Sequence, residues 1–399
     1  MSHLPNIGRR GLLLGLSALA ATRNARLAVA SPPVMGQAGD RRFVVVIQRG
    51  AMDGLAALAP YGDAQYRELR GPLALPEPGQ EDGLLDCGGF FGLAPQLQNF
   101  HRFFAEGSLL PVHAIAGPYR NRSHFEAQDM LESGAPERLA SGWLNRALEA
   151  TPPVPQGQPE RGLAVGYDLP LLLRGAQPVG MWAPPRPVRP PPELYARIAD
   201  LLHADPLLGK AVQEGLRGRG FAADALMGEP RAKGGFVSLA ASAGKLLTAP
   251  NGPRVAALEI GGWDTHANQN YALSRVLKQL DEGIAALRGQ LGAAWAQTAI
   301  LVMTEFGRTA RANGSQGTDH GTGGVAFLMG GAVQGGKVLA DWPGLADGQL
   351  FEKRDLAPTR DLRAITKGLL RDHLGLSDAA VAAAFPNADG VVAENRLIR

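Results

Sequence analysis

The amino-acid sequence predicts an α/β protein, a three-layer sandwich in which a largely parallel central sheet is covered by helices on both faces. Three observations predict it. Short apolar, β-branched runs recur along the chain, stretches with apolar spacing near 3.6 lie between them, and within the runs apolar residues follow one another without alternation. A strand that is apolar on both faces must be covered on both, and such sheets are mostly parallel with helical crossovers.

The chain of 399 residues, 45% hydrophobic and 19% charged, is too apolar for a disordered polymer and long enough for one large domain or two ordinary ones. Forty Lys and Arg face 37 Asp and Glu, a near balance that lacks the concentrated basic excess of a nucleic-acid binder. Nucleic acid is therefore excluded as a first expectation for a partner. The single cysteine, Cys87, permits no intramolecular disulfide and cannot supply a thiolate metal site, so any metal must be held by oxygen and nitrogen.

In chain order, Arg9-Arg10 followed by an apolar run to about Ala21 and by Ala28-Val29-Ala30 reads as a twin-arginine signal peptide over residues 1–30, with Ser31 opening the mature chain. This implies passage through the twin-arginine (Tat) export machinery to a periplasm or the cell exterior. No other stretch reaches the roughly 18 uninterrupted apolar residues of a membrane span, so a transmembrane segment is not expected in the mature chain. Residues 31–399 are read as a single domain. Its first strand is Arg42–Gln48, running into Arg49-Gly50-Ala51-Met52-Asp53-Gly54, and the next is Ser108–Ala116. A helix over Ser123–Leu131 follows, with Ser123 as N-cap and Glu126 three residues on as its capping-box partner. The stretch Thr151–Pro192 is dense in proline, which excludes central sheet or helix interior and suggests an insert or cover. Beyond it come a helix over Ser238–Leu247, a strand over Arg254–Ile260, a long helix over Asn268–Leu291, strands over Gln297–Thr304 and Gly324–Met329, and a helix over Asp361–Leu374.

Polar residues gather at the ends of these strands. Asp53 follows the first, Asp264 and His266 follow Arg254–Ile260, Glu305 follows Gln297–Thr304, and Asp319-His320 precedes Gly324–Met329. In a parallel sheet these could converge at one edge as a mixed oxygen and nitrogen set suited to a divalent cation, Zn, Mn, Fe or Mg. Each has a plainer alternative: Asp53 as a turn former, Glu305 as a helix-start residue paired with Arg308, Asp319 as an acceptor that orients a histidine. Ser123 is a helix cap on one reading. On the other it is a nucleophile beside a dication, with Arg120 or Arg122 clamping an anion at the helix start.

Taken together, RGAMDGL, RSHFEAQDMLESG, GGWDTHANQ, TEFGRT and GTDHG, in this order, resemble the DUF1501 family of exported bacterial proteins. The match runs from about Arg42 to the Asp361-Leu362-Arg363 helix. That family is in turn similar to the alkaline phosphatase and sulfatase superfamily, and the resemblance implies an alkaline-phosphatase-like sandwich acting on phosphate or sulfate esters. It further implies that Asp53, Asp264, His266, Glu305 and His320 hold one or two divalent cations and that Ser123, opening its helix, is the nucleophile. One departure stands out. Where the superfamily has Asp-His-Gly after the strand that here ends in Thr304, this chain has Glu305-Phe306-Gly307, with Asp319 or His124 as replacements for the missing imidazole. The rival expectation is a non-catalytic exported protein that keeps the fold to bind a partner or an envelope polymer.

Overall fold

A computed structural model describes residues 40–151, 160–184, 215, 221–222, 225–226 and 235–399, all within the compact unit Ala38–Arg399. The signal peptide expected over residues 1–30 lies outside the described residues, as do the proline-rich stretches 152–159 and 185–192.

The strands in chain order are β1 (Arg42–Arg49), β2 (Leu58–Ala59), β3 (Leu85–Asp86), β4 (Gly92–Leu93), β5 (Leu109–Ala116), β6 (Gly162–Val165), β7 (Gly180–Trp182), β8 (Val255–Gly261), β9 (Thr298–Thr304), β10 (Gly324–Met329) and β11 (Arg360–Asp361). Eight of them form one sheet in the order β11-β5-β10-β9-β1-β8-β6-β7, and β2, β4 and β3 form a small antiparallel sheet. In the large sheet β8 and β9 flank β1 in parallel, β6 and β7 extend it in parallel, and β10 alone is reversed, pairing antiparallel with both β9 and β5.

The burial of β1 shows why the sheet is covered twice. Val44 and Val46 pack on one face with Phe100, Leu247, Leu280 and Ile284, from the helices Gln98–Ala105, Phe236–Thr248 and Gln269–Leu291. Phe43, Val45 and Ile47 pack on the other with Trp143, Ile365 and Phe385, from or beside the helices Trp143–Glu149, Leu362–Gly368 and Asp378–Ala384. All five β1 side chains are fully buried, and removing a buried aromatic such as Phe43 to Ala costs roughly 3–5 kcal/mol.

The structure departs from the sequence-based expectation in three places. The proline-dense region contributes an internal strand: β6 lies between β8 and β7, because its four residues GLAV carry no proline and pair through their own amides. The capping box at Ser123 does not form. Its side chain makes no cap bond, and the Glu126 carboxylate accepts from the Tyr119 hydroxyl instead. Finally, the helix expected over Asp361–Leu374 is α-helical only over Leu362–Gly368 and loosens into a π turn over Leu369–His373.

The reversal of β10 matters for function. The carboxyl ends of β1, β5, β8 and β9 lie at one edge of the sheet, and because β10 runs the other way its amino end lies there too. Had β10 been parallel, His320 would stand a strand length away, about 20 Å for six residues.

Candidate metal centre

Five neighbouring strands deliver the polar residues to this edge. His124 opens the helix His124–Ser133 after β5, His320 precedes β10, Glu305 follows β9, Asp53 follows β1, and Asp264 and His266 follow β8. Close backbone packing brings them together. Gly50 has φ +118°, and a Cβ there would lie 2.7 Å from the Asp264 nitrogen, while a Cβ at Gly307 would meet the Gly323 oxygen at 1.9 Å. These glycines let the loops approach where no side chain fits.

Three imidazoles meet around one carboxylate. His320 Nε2 lies 3.0 Å from both His124 Nε2 and His266 Nε2 and 3.2 Å from Asp264 Oδ1. His266 Nε2 is 2.9 Å from Asp264 Oδ1, and His124 Nε2 is 3.6 Å from Asp264 Oδ2. Each ring is anchored through its other nitrogen. His124 Nδ1 lies 2.8 Å from Glu305 Oε1, His266 Nδ1 is 3.2 Å from Asp319 Oδ1, and His320 Nδ1 is 3.0 Å from the Arg122 carbonyl. A carbonyl or an ionised carboxylate can only accept, so Nδ1 carries a proton in all three rings, and each Nε2 faces the space shared with Asp264.

The anchoring carboxylates are held ionised. Burial alone would raise Glu305, but hydrogen bonds from His124, Gln128 and the Gly50 amide keep it below the usual carboxylate range. Hydrogen bonds from Asn313 and His266 lower Asp319. Asp264 is lowered against its own desolvation by Arg308, whose fully buried guanidinium donates to Oδ1 at 2.6 Å and also to Thr318. The rings differ in turn: the Glu305 hydrogen bond raises His124, whereas burial lowers His320 and favours its neutral form. Phe306, the residue standing where an imidazole was expected, is buried under the cluster with its ring centroid 5.0 Å from His124 and 5.2 Å from His320.

The other candidate residues lie differently. Asp53 is buried, and its Oδ2 accepts from Arg70 at 2.5 Å and from Gln269 at 2.6 Å, while Oδ1 caps the short helix Gly54–Ala57. Its oxygens thus face a guanidinium and an amide rather than the imidazoles. Glu305 and Asp319 hold the histidines instead of joining Asp264. The Arg120 guanidinium points at the carbonyls of Gly117 and Tyr119, and that of Arg122 at Glu352 and Asp355, so neither is free to clamp an anion. Ser123 is half-buried beside the Tyr119 phenol. His124 had only a substitute's role in the sequence reading and turns out to be central; its place at the first turn of a helix after a buried strand was the available signal. Arg70 and Gln269 carried no signal, since their partner Asp53 is 17 and 216 positions away.

The donor set suits a metal. His124, Asp264 and His320 bring one ligand atom each within 4.8 Å of one another. A tetrahedral ion with metal–nitrogen distances of about 2.0–2.1 Å holds its donors roughly 3.3 Å apart, which matches the spacing around His320. Residues of the His124–Ser133 helix also wall a cleft of about 760 Å³, lined further by Arg49, Asp168 and Glu259, with Phe125, 86% exposed, in its lining; none of the three histidines nor Asp264 lines it. Three arginines and five carboxylates line it. No helix among the described residues is long and apolar enough to cross a membrane.

A family model described as "Protein of unknown function (DUF1501)" matches residues 114–385. Solved structures similar to this chain include an alkaline phosphatase from the Antarctic bacterium TAB5, at 11% identity over 75% of this chain and 94% of that one, with a TM-score of 0.36. A 2-O GAG sulfatase, BT1596, is similar at 11% identity over 88% and 73%, with a TM-score of 0.37. The C-terminal periplasmic domain of EcEptC from Escherichia coli, in complex with Zn, is similar at 8% identity over 74% of each chain, with a TM-score of 0.32. No curated protein matches the sequence.

Proposed function

The chain belongs to the DUF1501 family, and on that premise we propose that it is an exported hydrolase of phosphate or sulfate esters that depends on a single divalent cation. One observation carries the reading: three imidazoles, each with Nδ1 hydrogen-bonded to an acceptor, turn Nε2 toward the space shared with Asp264. His124 Nε2 and His320 Nε2 stand 3.0 Å apart, and with both rings neutral the two nitrogens would offer their lone pairs to one shared cation. His124, His266, His320 and Asp264 would hold it. Nitrogen-rich coordination favours zinc or a similar transition metal over Mg, which prefers oxygen.

Bound there, the ion would supply Lewis-acid stabilisation to an ester oxygen. The chain's own residues do the rest. Arg308 fixes Asp264, and Glu305 and Asp319 fix two of the rings. Ser123, which makes no cap bond, is the proposed nucleophile: its oxygen would bond to phosphorus or sulfur as the bond to the ester's alcohol oxygen breaks, its proton would pass through the Tyr119 hydroxyl to the Glu126 carboxylate, and the alcohol would leave with a proton from water. The acid-rich cleft would take the alcohol part of the ester and disfavours a polyanion there. Export rests on Arg9-Arg10, the apolar run and Ala28-Val29-Ala30.

The closed Asp53–Arg70 pair and Phe306 support the rival reading of a binding protein with one ion. Elemental analysis of the purified protein and an Asp264→Ala/His320→Ala double variant, beside a panel of chromogenic phosphate and sulfate mono- and diesters with Zn or Mn, tests both. One metal per chain, lost in the variant together with turnover, is expected. No metal after reconstitution overturns the centre, and metal without turnover of any ester favours the binding protein.

A further inference from the structure

We propose that Arg122 is a positioning residue for His320, acting through its backbone: carboxylates of a distant loop hold it in a left-handed conformation that aims its carbonyl oxygen at His320 Nδ1. The consequence for metal binding rests on the function proposed above; the geometry does not.

Arg122 has φ +62°, a conformation that side-chain-bearing residues rarely adopt and that tends to persist where surrounding contacts enforce it. Here the contacts are visible. Its Nε lies 2.9 Å and its Nη2 2.7 Å from Asp355 Oδ2, Nη2 lies 2.5 Å from Glu352 Oε2, and the guanidinium stands 5.9 Å from the Phe351 ring. Asp355 is fully buried, so its pull on Arg122 is little screened by water. The loop that carries these carboxylates is some 230 residues further along the chain.

The product of this restraint is a single hydrogen bond, from His320 Nδ1–H to the Arg122 carbonyl at 3.0 Å. His124 and His266 are oriented by carboxylates, which accept from many directions. His320 relies on a backbone carbonyl, whose direction follows the φ and ψ of its own residue. If that carbonyl swung away, His320 would be free to carry its proton on Nε2, the atom that faces Asp264, His124 and His266. Glycine reaches positive φ without cost, so a glycine at this position separates backbone geometry from side-chain charge.

The experiment compares the full-length wild type with Arg122→Gly, Arg122→Ala and Asp355→Asn. Zinc chloride is titrated in competition with a chromogenic chelator, and ring 15N shifts of His320 are recorded in metal-free protein with labelled histidine. Arg122→Ala is expected to weaken zinc binding by about tenfold to a hundredfold, as loss of a ligand's orienting partner does, and to move His320 toward the Nε2–H tautomer. Arg122→Gly should stay within about threefold of wild type and keep the Nδ1–H tautomer. Equal zinc affinities in the Ala and Gly variants, or an Nε2–H tautomer in the wild type, would overturn the inference. If Arg122→Ala does not fold, Asp355→Asn decides by the same two readouts, with unchanged values counting against it. A wild type that binds no zinc would sink the metal reading, while the tautomer shifts would still judge Arg122.

Discussion

Two clusters at one edge of the sheet pair a carboxylate with a buried guanidinium, and they differ in what else surrounds that carboxylate. At Asp53 the cation is covalently part of the chain: Arg70, with no exposed surface, closes the pair, and Gln269 takes up the same oxygen. At Asp264 a buried guanidinium, Arg308, also donates to Oδ1, but the Nε2 atoms of three imidazoles gather around the same carboxylate, and the side chains of Asp264 and His266 are 44% and 46% exposed. The comparison teaches that residue type does not separate a structural ion pair from a ligand set. Burial and the imidazoles gathered around the carboxylate separate them.

The sharpest way to break the comparison is to open the closed pair. Arg70→Ala leaves Asp53 buried and unpaired, and chemical denaturation should report a loss of about 3–5 kcal/mol with metal content per folded chain unchanged. A loss of metal in that variant would show that the two clusters are one site. Acid should act next, through histidines that lie outside both. His113 and His373 are buried, and desolvation lowers each to about 4 from an ordinary value near 6.5. The unfolded chain therefore binds more protons than the folded one between those values. Stability should be intact above pH 6.5 and fall as the pH drops toward 4, by at most on the order of 3 kcal/mol per residue. A melting temperature flat across that window would contradict it.

At the open cluster, Glu305→Gln keeps the shape but weakens the acceptor that fixes His124. Zinc titration should show a tenfold to hundredfold weaker affinity, with thermal stability changing less than in Arg70→Ala. The smallest effect is expected at the cleft. Phe125→Ala removes an exposed ring, should change stability by less than about 0.5 kcal/mol, and should leave metal content alone while raising KM for any ester that is turned over.

Much of the frame was legible because burial writes itself into local sequence. β1, β5, β8, β9 and β10 lie within a residue or so of the apolar runs that announce them. The short strands were not legible: β6 has four residues among prolines, and β7 and β11 have three and two. Their pairing comes from neighbours supplied by distant sequence. At the site, Asp264, His266 and His320 were readable as polar residues beside glycines at strand ends. His124 was obscured by the cap and nucleophile readings of Ser123 next to it. Arg120 and Arg122 showed their charge in sequence but not their partners, which for Arg122 lie in the loop around Glu352 and Asp355.

By itself the sequence determined the covered parallel sheet, the membership of a family defined by its strand-end motifs, and the exclusion of thiolate metal chemistry by a lone cysteine. Those properties depend on composition and on periodicity over a few residues. Only the tertiary structure decided that β10 runs backwards, that Arg70 closes Asp53, and that Glu305, Asp319 and the Arg122 carbonyl each fix a ring. The physical reason is that a proton's position on an imidazole, and a carboxylate's freedom to bind a cation, are set by atoms about 3 Å away in space, and those atoms belong to residues far apart in the chain.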